Sequence, residues 1–111
     1  MTIVSLNFEV VRATPAVAEF LVRVELDGPA TDCGVTGRAV GPRRPGVSTV
    51  EVAYPMTVAE VSDAAVSLRC VIPEPNLWTP DAPFNYAVTV EVRVNGGIVD
   101  SRGGVVALRN R

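Results

Sequence analysis

Few side chains in this 111-residue sequence could do covalent or proton-transfer chemistry: twelve carboxylates, two cysteines and ten cationic residues, with no histidine. All ten cations are arginine, so there is no lysine. Without an imidazole the chain lacks the commonest general base, the usual activator of a serine or cysteine nucleophile and the commonest metal ligand. Without an amine side chain it cannot form a Schiff base. Two cysteines alone do not make a zinc site. Neither a glycine-rich phosphate loop nor a dinucleotide-binding fingerprint occurs, so no cofactor and no metal is expected. What remains is a carboxylate pair, the acid and nucleophile that cleave acetals, which work from ~5 Å apart in one cleft. Glu25, Glu51 and Glu91 fall on outward positions of extended segments, and Asp27, Asp32, Asp63 and Asp81 fall in turns. All read as solvated surface charge, and no residue is assigned a catalytic role.

The arginines are dispersed except at Gly41-Pro42-Arg43-Arg44-Pro45-Gly46, where Pro and Gly bracket two guanidinium groups. The segment reads as a loop, either a solvated turn or a contact for an anion or carboxylate on a partner surface, which paired guanidinium groups suit. The net charge of −2 gives no electrostatic footprint for nucleic acid. No stretch approaches the ~20 apolar residues that cross a bilayer, so no membrane span is expected. Met1 to Glu9 lacks a basic start and reaches a carboxylate too early for a signal peptide. Cys33 and Cys70 both fall on inward positions, as two buried free thiols or as a disulfide across two sheets.

The elements that would position these groups are strands. Ile3–Arg12 sends Val4, Leu6, Phe8 and Val10 to one face, and Val17–Asp27 sends Phe20, Val22, Val24 and Leu26 inward. A third strand, Cys33–Val40, is weakened by Gly34 and Gly37, which suggest a bulge or a close backbone approach. Val47–Tyr54 reads as a fourth strand followed by a loop from Pro55. Ala64–Ile72 reads as a fifth, with Val66, Leu68, Cys70 and Ile72 inward. A sixth runs from Tyr86 to Val94. Asn95-Gly96-Gly97 is a hairpin turn, since Asn and Gly tolerate positive φ. The seventh strand is Ile98–Leu108, with a bulge expected at Gly103-Gly104. About seven antiparallel strands in two sheets make an all-β, immunoglobulin-like sandwich, one domain over 1–111.

Between the fifth and sixth strands lies Pro75-Asn76-Leu77-Trp78-Thr79-Pro80-Asp81-Ala82-Pro83-Phe84-Asn85-Tyr86, with the only tryptophan. Three prolines exclude a helix or a central strand, so this is an ordered corner. Its order of residues resembles the P-x-L-W-[ST]-P-[DE]-x-P-x-L-Y signature of the immunoglobulin-like domain of family 2 glycoside hydrolases, the β-galactosidase, β-glucuronidase and β-mannosidase group. Asn85 stands where that family has Leu. Ile98-Val99-Asp100 matches an apolar pair and Asp, and Val105-Val106-Ala107-Leu108-Arg109 resembles the closing strand, with Ala107 replacing a Gly.

The resemblance implies a non-catalytic spacer, because in that family the acid and nucleophile belong to a TIM barrel that would begin after Arg111. It implies neighbouring domains of a parent glycosidase as partners, or self-association where those domains are missing. The alternative is a free-standing module that binds protein or carbohydrate. Trp78, shielded by Pro75, Pro80 and Pro83, reads as a plug closing one end of the sandwich, with a sugar-stacking platform as the second reading. Tyr86 is placed to make a tyrosine corner. Phe84 is the candidate for an exposed aromatic at a partner surface. Leu108 and Arg109 are expected beside it, at an end left uncovered.

Overall fold

The computed structural model describes residues 1–110; Arg111, the last residue of the expected domain, lies outside the described residues. Among the described residues eight strands form: β1 Ile3–Ala13, β2 Val17–Leu26, β3 Gly34–Arg43, β4 Val52–Pro55, β5 Thr57–Ser62, β6 Ala65–Pro73, β7 Asn85–Val94 and β8 Gly97–Val106, with a short 3-10 turn at Ala30–Asp32. They make two antiparallel four-stranded sheets, β1-β2-β6-β5 and β4-β3-β7-β8. This is the strand order of an immunoglobulin-like sandwich with an extra edge strand beside the third.

That edge strand accounts for eight strands instead of about seven. The expected strand Val47–Tyr54 starts only at Val52, and the expected loop after Pro55 is strand β5. At Met56, whose N–H donates to the Gly37 carbonyl at 3.0 Å, the chain leaves the edge of β3 and crosses to the edge of β6. The two pieces have no clean alternation because both lie at sheet edges. Val52, Val58 and Val61 are each about half exposed. The expected loop from Gly41 is also partly strand, since β3 runs on to Arg43. Pro42, which has no N–H to give, falls where the β3–β7 register slips between Val40 and Arg43.

The core is the period-2 pattern folded inward. Phe20, Val22, Val24 and Leu26 of β2, Val66, Leu68, Cys70 and Ile72 of β6, and Tyr86, Val88, Val90 and Val92 of β7 are all buried. The first strand departs from its expected face. A register shift between Ile3 and Ser5 turns Val4 out to 56% exposure and buries Ile3, whose N–H donates to Asp100 Oδ2 at 2.7 Å. The Asn95-Gly96 turn has φ of 52° and 81°, as its residue types predict. The bulge in the hairpin it closes lies at Val99, not at Gly103-Gly104, which pair in register with Thr89 and Val88. Gly104 is bare for another reason: a Cβ there would lie 2.7 Å from Cζ of Phe8. Both thiols are free. Cys70 is fully buried, whereas Cys33 precedes β3, is half-buried, and donates its S–H to the Ala30 carbonyl at 3.7 Å.

Two measurements test this packing. At Gly41 a Cβ would meet Cδ1 of Tyr86 at 2.7 Å and the Asn85 carbonyl oxygen at 3.0 Å, while at Gly34 it would meet nothing within 4 Å. Gly41→Ala should therefore cost about 2–3 kcal/mol, and Gly34→Ala should be neutral or stabilising by up to ~1 kcal/mol. Urea titrations yielding the reverse order would refute the assignment. Burial also pushes the Cys70 thiol up from 9.0 to about 11. A raised folded value means that the neutral thiol stabilises the fold fully below pH 9, and that this contribution is lost as pH rises through about 11. A two-unit rise corresponds to roughly 2–3 kcal/mol. Cys70→Val should flatten the fall in urea midpoint over that window, and an unchanged slope would show that the thiol is not its source.

Candidate functional site

The crossover between β6 and β7 is held by backbone groups that its prolines leave free to bond inside the corner. Pro75 is buried at its start. Thr79 and Ala82 exchange backbone hydrogen bonds at 3.0 and 3.1 Å, the Ala82 N–H also reaches Thr79 Oγ1 at 3.0 Å, and Trp78 bridges to Pro83. Two bonds tie this loop to the sandwich. The Asn76 N–H donates to the Tyr86 hydroxyl at 2.9 Å, and the Trp78 N–H donates to the Leu108 carbonyl at 2.8 Å. The first is the tyrosine corner expected from the sequence. The Tyr86 ring is buried and meets Tyr54 edge to face at 6.3 Å. Desolvation raises its pKa, while the bond from Asn76 works in the opposite direction.

The expected site residues separate into two groups. Tyr86 and Leu108 are core, at 1% and 0% exposure. Leu108 is thus not an uncovered side chain at a vacated end, because the Trp78–Leu108 bond draws the segment after β8 back over the core. Trp78 is half-buried, so it shares the closing of this end with Pro75, Tyr86 and Leu108. Exposed Arg109 lays its guanidinium 4.2 Å from the Trp78 ring centroid. Pro80 is exposed, and Pro83 and Phe84 are half-buried. Phe84 has its own cation: Arg44 Cζ lies 5.8 Å from the ring centroid, and Arg44 Nη2 donates to the Asp81 carbonyl at 3.0 Å. The neighbouring Arg43 turns away to Glu51, with Nε to Oε1 at 2.8 Å. The corner is therefore a paired aromatic and guanidinium surface. Sequence reasoning had no route to these pairs, since Arg44–Phe84 and Trp78–Arg109 are formed between residues far apart in the chain.

The carboxylates are dispersed over the sandwich. The two most shielded in ion pairs, Glu19 on β2 and Glu91 on β7, have side chains 18% and 17% exposed. Each is held by two arginines: Glu19 by Arg12 and Arg69 at 3.5 and 3.0 Å, Glu91 by Arg38 and Arg93 at 3.1 and 3.7 Å. They belong to different sheets and alternate with core residues, so they point away from one another across the sandwich.

The family model of glycosyl hydrolases family 2 matches residues 3–109. The chain belongs to this family. No curated protein matches it in sequence. Among solved structures, a calcium-binding mutant of Bacteroides uniformis beta-glucuronidase 2 is similar with a TM-score of 0.55 and 18% identity, covering 93% of this chain and 13% of that one. The same enzyme covalently bound to cyclophellitol-6-carboxylate aziridine gives a TM-score of 0.56 and 19% identity over the same shares. This family 2 chain thus spans about an eighth of the length of those enzymes, and at such identity the likeness is one of fold.

The corner can be tested by substitution. Tyr86→Phe should cost about 1–2 kcal/mol, because it leaves the Asn76 N–H without its acceptor. Leu108→Ala should cost about 3 kcal/mol or more as a fully buried side chain, and half-buried Trp78→Ala less, near ~2 kcal/mol. Thermal and urea unfolding followed by circular dichroism give the order. Trp78→Ala as the costliest of the three would make the indole the true plug of this end.

Proposed function

We propose that this chain is a non-catalytic spacer of a family 2 glycoside hydrolase, a rigid sandwich that holds neighbouring domains of a parent glycosidase in a fixed relation. The observation that carries the reading is one of proportion: 93% of the chain corresponds to a piece amounting to 13% of a beta-glucuronidase. The work of the piece is then mechanical, and the chemistry belongs to the remainder. The carboxylates support this. Hydrolysis of a glycoside with either stereochemical outcome needs two carboxyl groups facing one scissile bond, from ~5 to ~10 Å apart. Glu19 and Glu91 are instead neutralised by arginine on the outer faces of opposite sheets.

A spacer must keep its shape between its ends, and the hydrogen bonds of the corner serve that. The Trp78–Leu108 bond and the Arg109–Trp78 stack fasten the segment after β8 to the crossover, so a chain continuing beyond it would leave from a held point. A carbohydrate-binding role for Trp78 is less well supported, because a sugar ring stacking on the face that Arg109 covers would have to displace a guanidinium 4.2 Å away.

The purified chain should not turn over nitrophenyl β-galactoside, β-glucuronide or β-mannoside above a heat-inactivated control. Turnover that a single Glu or Asp substitution abolishes would overturn the spacer reading.

A further inference from the structure

Arg43 and Arg44 are adjacent in sequence but in different electrostatic states. Arg43 is spoken for: its Nε–H lies 2.8 Å from Glu51 Oε1, and that bond raises its pKa. Arg44 has no carboxylate within ion-pair distance among the described residues. It is nevertheless held in place, by the Phe84 ring on one side and by one N–H on the Asp81 carbonyl. A guanidinium has five N–H donors, and this one donates a single hydrogen bond to the protein, so donors remain on a group whose position is already set. Preorganisation of this kind removes much of the entropic cost of binding.

Arg44 stands at the rim of a groove of about 290 Å³ whose other lining residues are Arg43, Pro45, Asn85, Ala87 and Val105. Its floor is apolar. Ala87 and Val105 are direct cross-strand partners on the outer face of β7 and β8, and Val105 is left 63% exposed. The groove therefore presents an uncovered aliphatic floor with one uncompensated, fixed cation at its edge. The complement is one negative charge beside one aliphatic side chain. A carboxylate matches the planar fork of a guanidinium and carries the single charge that a single free cation balances. Phosphate-rich partners call for several.

We infer that this groove is a docking site for a protein loop in which a Glu or Asp adjoins an aliphatic side chain, the carboxylate on Arg44 and the aliphatic group on Ala87 and Val105. Charge complementarity favours a loop over a second copy of this chain docked groove to groove, which would set Arg44 against Arg44. That the loop belongs to a neighbouring domain rests on the spacer reading; the chemistry of the groove does not, and the two can fail separately.

The test is an NMR titration of the whole chain with acetyl-Gly-Leu-Glu-Gly-amide, its Gln counterpart and isovalerate. The Glu peptide should shift the Arg44 side-chain N–H signals and the amides of Asn85, Ala87 and Val105 at millimolar concentration, and the Gln peptide should bind about tenfold more weakly or not at all. Arg44→Gln should lose the preference for Glu, while Arg43→Gln changes affinity less than twofold. Val105→Glu, at an exposed position that spares the Arg44–Phe84 contact, should abolish binding by filling the groove with a carboxylate of its own. Equal binding of the two peptides, dependence on Arg43 instead of Arg44, or no shift at all would overturn the inference. Isovalerate binding as tightly as the Glu peptide would replace the protein loop with a small organic acid. The spacer reading stands or falls on the glycoside assay, whatever these titrations yield.

Discussion

The hydrogen bond from the Asn76 N–H to the buried Tyr86 hydroxyl is the constraint around which one end of this sandwich is arranged. The chain must pass from β6 in one sheet to β7 in the other, and such a crossover carries polar backbone over an apolar core. Every N–H that loses water there needs a partner. Prolines lessen the demand by having no N–H to satisfy, and the phenol supplies an acceptor from within the core. The same ring sets its surroundings. Gly41 is bare because the Tyr86 ring lies where its Cβ would be, and Tyr54 comes from the edge strand β4 to meet it edge to face. The corner then holds the segment after β8 through Trp78 and Leu108.

Away from the corner, the two lateral sides of the sandwich solve the problem of free strand edges differently. On the β1 and β8 side, side chains reach between the sheets: Asp100 takes the Ile3 N–H at 2.7 Å, and Arg102 donates to the Val4 carbonyl at 2.9 Å. On the opposite side one stretch of chain serves both edges in turn, crossing at Met56 from β4 to β5. Each edge is covered over part of its length, and the cost is a set of exposed valines at 52, 58 and 61. On the outer faces of both sheets, inter-strand arginine and glutamate pairs join β1 to β2, β2 to β6 and β3 to β7.

An all-arginine set of cations suits such a protein. Arg can stack on an aromatic face and donate to a carbonyl or carboxylate at once, which an ammonium group does less well. Arg44 does both at the corner, Arg109 stacks there on Trp78, and Arg12, Arg38, Arg69 and Arg93 pair with glutamates on the sheets. The resulting molecule invests its polar groups in its own shape. The chain belongs to glycosyl hydrolases family 2 and spans 13% of the beta-glucuronidase whose fold it shares.

Much of this was legible in the residues alone, where a local rule had no competitor. Period-2 alternation placed the inward faces of β2, β6 and β7 because a residue's side in a strand depends on parity. Asn95-Gly96 marked its turn because positive φ is a property of residue type. The prolines and Tyr86 marked the corner. What the tertiary structure decided are matters of partner and register. One shifted residue in β1 exchanged Val4 for Ile3 in the core, and a crossing at Met56 made two edge strands where an apparent strand and loop stood. Gly104 is bare because of a ring on β1, and Leu108 is buried because Trp78 bonds its carbonyl. Which of two adjacent arginines takes a carboxylate and which takes an aromatic ring depended on where Glu51 and Phe84 come to lie. Composition and spacing carry no distances between residues remote in sequence, and each of these outcomes is such a distance.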